Sequence, residues 1–160
     1  MIDNEQELLK ATELLRSFWN IQKNLMRLVQ KSAVENGLSI PQYSIMMTIV
    51  MHKVMTQKLV GEKTFLPKST LSQAVDGLAR EGFIERKQVE ENRREMMLSL
   101  SDKGETLIRT IHMQDGGIHQ IFKSVTDSLT SSQYEELLGT QRQISTYLEE
   151  ESSYQGECEK

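Results

Sequence analysis

The sequence predicts a mainly helical chain that is interrupted once by a small two-stranded β-hairpin. Pro accounts for only 2 and Gly for only 9 of the 160 residues, so few positions would break a helix. Apolar residues recur at three- and four-residue spacing along most of the chain, as is typical of amphipathic helices. Only residues 83–100 change pattern, with two short apolar runs around a polar segment, and this pattern predicts the hairpin.

Two helices are predicted in the first third of the chain. The first runs from Glu5 to about Ala33, because apolar side chains follow one face over that length. Ser39 and Gln42 then form a capping-box pattern, which opens a second helix that ends near His52.

Two shorter helices and the hairpin follow. Thr56 can cap a third helix over residues 57–63, and Pro67 can open a fourth over residues 68–80. The apolar stripe of the fourth helix comprises Leu71, Ala74, Val75 and Leu78. Residues 83–87 and 96–100 are the predicted strands, and the polar residues between them suit a hairpin tip.

The remaining third of the chain is predicted to be helical. Ser101 can cap a long fifth helix, which Gly116 and Gly117 interrupt. Thr130 and Gln133 form a second capping-box pattern, which opens the last helix. We expect an acidic, disordered tail over residues 152–160.

Two short helices joined by a tight turn and followed by a hairpin make a winged helix-turn-helix, a DNA-binding arrangement. The second helix of such a pair lies in the major groove, and its exposed positions here are small or polar. The hairpin tip carries Arg93 and Arg94, cations that could enter a narrow minor groove. The candidate DNA-contacting residues are Thr56, Gln57, Lys68, Ser69, Thr70, Ser72, Gln73, Asp76, Arg86, Asn92, Arg93 and Arg94.

Several short segments, taken in order, resemble the multiple antibiotic resistance regulator (MarR) family. They are Leu38–Gln42, Gln57–Gly61, Lys68–Thr70 with Val75–Leu78, Glu81–Glu85, Asn92–Arg94 and Leu100–Gly104. The resemblance covers about residues 8–150. It implies a bacterial transcription regulator, in most cases a repressor. Such a regulator binds pseudo-palindromic operators as a homodimer and is released by a small ligand or by oxidation.

Two positions depart from the pattern of the family. Asn92 stands where the wing of the family usually has Asp, and Gly77 stands where the family often has Arg. An Asn can only hydrogen-bond, whereas an Asp can pair with an Arg and orient the wing. These departures leave a second hypothesis open, in which the chain is a protein-interaction module, such as an antirepressor, that retains the winged-helix fold.

A winged helix reads one half-site, so two copies are needed for a palindrome. The first and last helices carry apolar stripes that suit such pairing, although they could also pack on each other within one chain. The interface candidates are Leu8, Leu15, Phe18, Leu137, Ile144 and Leu148. The predicted division is a helical dimerisation region over residues 5–36 and 101–150, with the winged helix-turn-helix over residues 39–100.

The ligand is less clearly marked in the sequence. The resemblance implies a cleft for an aromatic or lipophilic molecule between the two regions, for which Trp19, Tyr43 and His52 are candidates. His112, Asp115 and His119 share one helical face and are a weak candidate for a metal site, so a metal-responsive regulator stays an alternative. We expect no cofactor, and no enzyme, because no catalytic set or phosphate-binding glycine loop is visible.

Charge and cysteine content bear on location and partners. The whole chain has a net charge of −4, but ten of its basic and eight of its acidic residues fall between His52 and Gly104. A mildly basic middle segment between acidic ends suits a local anion-binding surface. The single cysteine, Cys158, cannot form an internal disulfide bond, and no apolar run is long enough to span a membrane. We therefore expect a cytoplasmic protein with double-stranded DNA as partner and no membrane association.

Overall fold

The computed structural model describes residues 2–89, 92 and 95–156. In order, the described elements are α1 (Ile2–Glu35), α2 (Ile40–His52), β1 (Val54–Thr56), α3 (Gln57–Thr64), α4 (Lys68–Arg80), β2 (Ile84–Gln88), β3 (Met96–Leu100), α5 (Asp102–Met113), α6 (Ile118–Asp127) and α7 (Ser131–Gly156). The chain divides after Gln120 into two compact units, which are treated separately below. None of the described helices is long and apolar enough to cross a membrane.

The connection between α1 and α2 confirms the predicted start of the second helix. Gly37 has a φ of +70°, and its amide donates to the carbonyl of Val34 at 3.1 Å, which closes the end of α1. The Ser39 hydroxyl accepts from the amide of Gln42, and the Gln42 side chain accepts from the amide of Ser39. The capping box therefore fixes both the end of the linker and the first turn of α2.

The two short helices pack closely, as the sequence predicted. Thr56 caps α3 by accepting from the amide of Leu59 at 3.1 Å. A Cβ on Gly61 of α3 would lie 2.8 Å from Cδ2 of Leu71 on α4, so the small residue permits the close approach. The predicted apolar stripe of α4 is buried in the core of the first unit.

The sheet has one strand more than the two-stranded hairpin that the sequence predicted. Its order is β1-β3-β2, both pairings are antiparallel, and Met55 of β1 lies opposite Leu98 of β3. Three residues are too short a run to show the alternation that marks a strand. The burial of Met55 and the pairing with β3 define β1 instead.

The C-terminal third is helical, with one difference from the prediction. Gly116 has a φ of +65°, and the predicted interruption separates the helix into α5 and α6. Helix α7, which begins with the predicted Thr130–Gln133 capping box, continues to Gly156. Residues 152–156 are therefore helical, whereas a disordered tail was expected from residue 152; no helix-breaking residue precedes Gly156 there. Residues 157–160, which include Cys158, lie outside the described residues.

One close approach joins α5 to the segment that follows α4. A Cβ on Gly104 would lie 2.0 Å from the carbonyl oxygen of Phe83, so no larger residue fits without movement of the backbone. Gly139 provides a contrast in α7, because nothing lies within 4 Å of the Cβ that it lacks.

We expect Gly104→Ala to lower the free energy of unfolding by about 1–3 kcal/mol, because the methyl group overpacks this junction. The matched control, Gly139→Ala, is expected to raise it by up to about 1 kcal/mol through helix propensity. Urea unfolding followed by circular dichroism measures both. Equal effects of the two substitutions would show that the junction tolerates a side chain.

Candidate nucleic-acid interface

Helix α4 presents a polar edge beside its buried stripe. Lys68, Ser69, Gln73 and Asp76 are exposed, and Thr70 and Ser72 are half-buried. The buried residues of the helix, which include Val75 and Leu78, hold it against the core of the first unit. Because the exposed side chains are short or flexible donors and acceptors, this edge can hydrogen-bond to base edges or phosphates.

A cavity of about 550 Å³ opens beside this edge, between α3, α4 and the start of β3. Four of the predicted DNA-contacting residues line it: Thr56, Gln57, Lys68 and Ser72. Leu66, Glu95 and Met96 complete the wall with other residues of the two helices. These three residues were not among the predicted contacts, because no local pattern in the sequence indicates that the strand lies beside the helix pair.

Two predicted DNA-contacting residues pair with each other. The guanidinium of Arg86 on β2 donates to the carboxylate of Asp76 on α4. The pair joins α4 to the base of the hairpin. The positive charge of Arg86 also offsets the negative charge of Asp76, which a phosphate backbone would otherwise repel. Arg86 has a relative side-chain exposure of 31%, so the pair is partly screened by solvent and orients the hairpin more than it stabilises the fold.

The hairpin carries the predicted wing. Strand β2 pairs with β3 along five residues, from Ile84 opposite Leu100 to Gln88 opposite Met96. At the tip, the amide of Asn92 donates to the carbonyl of Val89 at 3.2 Å. The amide of Glu95 donates to the carbonyl of Asn92 at 2.9 Å. Arg93 and Arg94 lie outside the described residues.

Gly77, one of the two departures from the pattern of the family, lies against α2. A Cβ at this position would lie 2.8 Å from Nε2 of Gln42, the residue that closes the capping box of α2. A larger residue here would require the end of the Gln42 side chain to shift.

The predicted ligand-pocket residues line neither the cavity beside α4 nor the second cavity found among the described residues of the first unit. Tyr43 is buried in the core, and burial raises the pKa of its hydroxyl. Trp19 on α1 and His52 at the end of α2 are exposed. A cavity of about 560 Å³ lies instead between α2, β1, β3 and α5, and none of the three residues lines it.

That cavity combines apolar walls with two cations, Lys53 and Arg109. Its apolar lining comprises Ile49, Val50, Val54, Leu100 and Ile108, and its ionisable lining comprises Lys53, Glu105, Arg109 and His112. Glu105 lies 3.8 Å from the guanidinium of Arg109, measured between Oε2 and Nη1. Its size and lining suit a small amphipathic molecule with a negative charge.

The weak metal candidate is not assembled in the described part of the chain. The rings of His112 and His119 contact each other, with centroids 4.0 Å apart and planes tilted by 58°. Asp115 is exposed in the turn between the two helices. Among the residues that the structure describes, no three or more His, Cys, Asp or Glu are grouped so that they could hold a metal ion.

His119 is the more constrained member of this pair. Its Nε2 is buried without a hydrogen-bond partner in the described residues. Burial, and to a smaller extent the neighbouring imidazole of His112, lowers the pKa of His119 from its ordinary value of 6.5. The neutral form is therefore favoured in the folded chain.

We expect the free energy of unfolding to fall as the pH decreases below about 6.5, because the unfolded chain then binds more protons than the folded chain. His119→Gln is expected to reduce this dependence, and His52→Gln, at an exposed position, serves as the control. Urea unfolding between pH 7.5 and pH 5 measures the slope. The same slope in the parent and in His119→Gln would contradict the assignment to His119.

The predicted dimer-interface residues lie on both units and are incompletely covered. In the first unit, Leu8 and Leu15 are 68% and 49% exposed, and Phe18 is half-buried. In the second unit, Leu137 and Leu148 are 45% and 62% exposed, and Ile144 is half-buried. Helices α1 and α7 thus each leave apolar side chains open to solvent.

The winged-helix part of the chain is similar to a known family. Residues 36–95, from the end of α1 to the hairpin tip, match the family model described as "MarR family". Over this segment, which is less than half of its length, the chain is similar to the MarR family. Among curated MarR-type relatives, the organic hydroperoxide resistance transcriptional regulator of Bacillus subtilis (strain 168) is 31% identical over 71 residues. Those residues are 44% of this chain and 48% of that protein, so the match spans about half the length of the relative.

Crystal structures of MarR-type proteins share the fold. The structure of AbfR of Staphylococcus epidermidis matches with a TM-score of 0.74 and 20% identity, over 94% of this chain and 99% of that chain. A mutant MarR from E. coli complexed with operator DNA matches with a TM-score of 0.65 and 17% identity, over 82% and 93% of the two chains. At these identities the matches establish the fold.

Proposed function

We propose that this chain is a transcriptional repressor that binds a pseudo-palindromic operator as a homodimer and is released by a small ligand. The observation that carries the proposal is the polar edge of α4, backed by a buried stripe and joined to the hairpin by the Arg86–Asp76 pair. The edge would read base edges in the major groove, while the hairpin follows the backbone towards the minor groove. A related fold in complex with operator DNA supports this reading.

The dimer follows from symmetry and from the uncovered apolar residues of α1 and α7. Two copies related by a two-fold axis present two α4 helices about one turn of DNA apart. The exposed leucines of α1 and α7 supply apolar area for an interface that each unit leaves open. A dimer seated on a promoter in the cytoplasm would exclude RNA polymerase, which accounts for repression without further chemistry.

We expect Lys68→Ala to weaken binding uniformly across DNA sequences and to reduce the salt slope of log affinity by about one, because it removes one phosphate contact. Gln73→Ala is expected to change sequence preference more than overall affinity, since an amide is suited to reading adenine. Lys23→Ala, on α1, is the control for charge alone.

The probe is labelled DNA from the region upstream of the chain's own gene, compared with a scrambled duplex across a salt series by fluorescence anisotropy. Selective binding by the parent, with the two distinct variant effects, supports the operator-binding proposal. Equal, weak binding to both duplexes, unchanged by Lys68→Ala, would overturn it and favour the protein-interaction alternative.

The ligand is proposed to occupy the cavity between α2, β1, β3 and α5. Lys53 and Arg109 supply positive charge at its wall, and the apolar residues would cover an aromatic ring. Two walls of this cavity belong to the proposed DNA-binding elements, because β3 is a strand of the hairpin and β1 leads directly into α3. A ligand that binds only one position of these strands would therefore change the geometry of the hairpin and of α3.

We expect benzoate or a hydroxybenzoate to raise the melting temperature of the parent and to weaken its binding to the operator. Arg109→Ala should weaken ligand affinity roughly tenfold, because a charged hydrogen bond is lost. Arg16→Ala, on α1, is the charge-matched control, and differential scanning fluorimetry with calorimetric titration measures the effect. Equal ligand affinity of the two variants would show that the ligand does not bind in this cavity.

A further inference from the structure

The turn between α3 and α4 holds an unusual side chain. Phe65 is 92% exposed, more than any other large apolar residue in the described part of the chain. Its backbone has a φ of 53° and a ψ of 24°, in the left-handed region that residues with a Cβ rarely adopt. Exposure of the aromatic ring to water and strain of the backbone are both unfavourable. Strained residues of this kind concentrate at functional sites, where a bound partner uses them.

The surroundings of Phe65 indicate the chemistry of that partner. Lys63, in the last turn of α3, and Lys68, the first residue of α4, are both exposed and flank the ring in sequence. Neither lysine forms an ion pair within the described residues, and the nearby acid Glu62 is close to Lys58 instead. Two exposed cations that flank one aromatic ring in sequence suit a polyanion that also offers an apolar surface, as DNA does.

The position of Phe65 brings it within reach of a bound duplex. Only two residues separate it from Lys68, so its Cα lies at most about 11 Å from the Cα at the start of α4. The first residues of a groove-binding helix contact base edges. With α4 in the major groove, as proposed above, the ring would lie near the entrance of the groove, where the 5-methyl group of thymine is an apolar group that it could contact.

We propose that Phe65 is a specificity-determining residue that packs against a thymine methyl group in each operator half-site. This inference rests on the proposed operator binding and adds to it a defined base at a defined position. The ring is exposed in the free chain, so it is available to the DNA before binding.

The experiment pairs a protein change with the removal of one methyl group from the DNA. A duplex is selected from random-sequence DNA with the full-length parent, and each thymine is then replaced in turn by deoxyuridine. Phe65→Ala and Phe65→Gly are compared with the parent by fluorescence anisotropy, with Met113→Ala as an exposed apolar control on α5.

We expect Phe65→Ala to weaken binding about fivefold and Met113→Ala to leave it unchanged. For the parent, deoxyuridine at one symmetry-related pair of thymines should produce a similar loss, whereas Phe65→Ala should be insensitive to that replacement. Phe65→Gly should also bind more weakly, although its thermal stability rises because glycine adopts the left-handed conformation freely.

Two results would overturn the inference. Parent-like affinity of both Phe65 variants would show that the ring does not meet the DNA. The second result is that Phe65→Ala weakens binding, but replacement of thymine by deoxyuridine has the same effect on this variant and on the parent at every position. That result would show that the ring does not read a base. Failure of the parent to select any duplex would instead overturn the proposed operator binding, and this inference with it.

Discussion

The carbonyl groups of Gly82 and Phe83 hold the start of α5 against the segment that follows α4. The Ser101 hydroxyl donates to the carbonyl of Gly82 at 2.6 Å, and the Ser101 amide donates to the carbonyl of Phe83 at 3.0 Å. The same hydroxyl accepts from the amide of Gly104 and so caps α5. Lys103 reaches back to the carbonyl of Glu81 at 2.6 Å, and its ammonium lies 4.5 Å from the centre of the Phe83 ring. One serine thus begins a helix and closes the base of the hairpin.

The geometry of the proposed DNA-binding elements depends on this junction. Strand β2 begins directly after Phe83, and strand β3 ends directly before Ser101. The hydrogen bonds of the junction therefore fix where the hairpin leaves the body of the first unit. The Arg86–Asp76 pair then ties the hairpin to the exposed edge of α4. The hydrogen bonds of Ser101 and the close approach at Gly104 leave less freedom of movement than the surface ion pair does. The junction therefore sets the position of the hairpin, and the Arg86–Asp76 pair adjusts it.

Local signals in the sequence were sufficient for the helices, and long-range contacts account for what the sequence did not predict. The caps at Ser39, Thr56 and Ser101 depend on residues three positions apart, so the chain itself displays them. Strand β1 depends on pairing with β3, and the Arg86–Asp76 pair crosses between two elements, so neither leaves a local pattern. The cavity beside α5 likewise arises from packing, which is why Trp19, Tyr43 and His52 did not identify it.

The contact between Gly77 and Gln42 couples the surface charge of α4 to the cap of α2. A cation at residue 77 would add positive charge to the proposed DNA-binding surface, but its Cβ would require the end of the Gln42 side chain to shift. The Gln42 side chain also accepts the hydrogen bond that closes the capping box of α2. Substitutions at residues 42 and 77 are therefore expected to be non-additive, because the two side chains share one space.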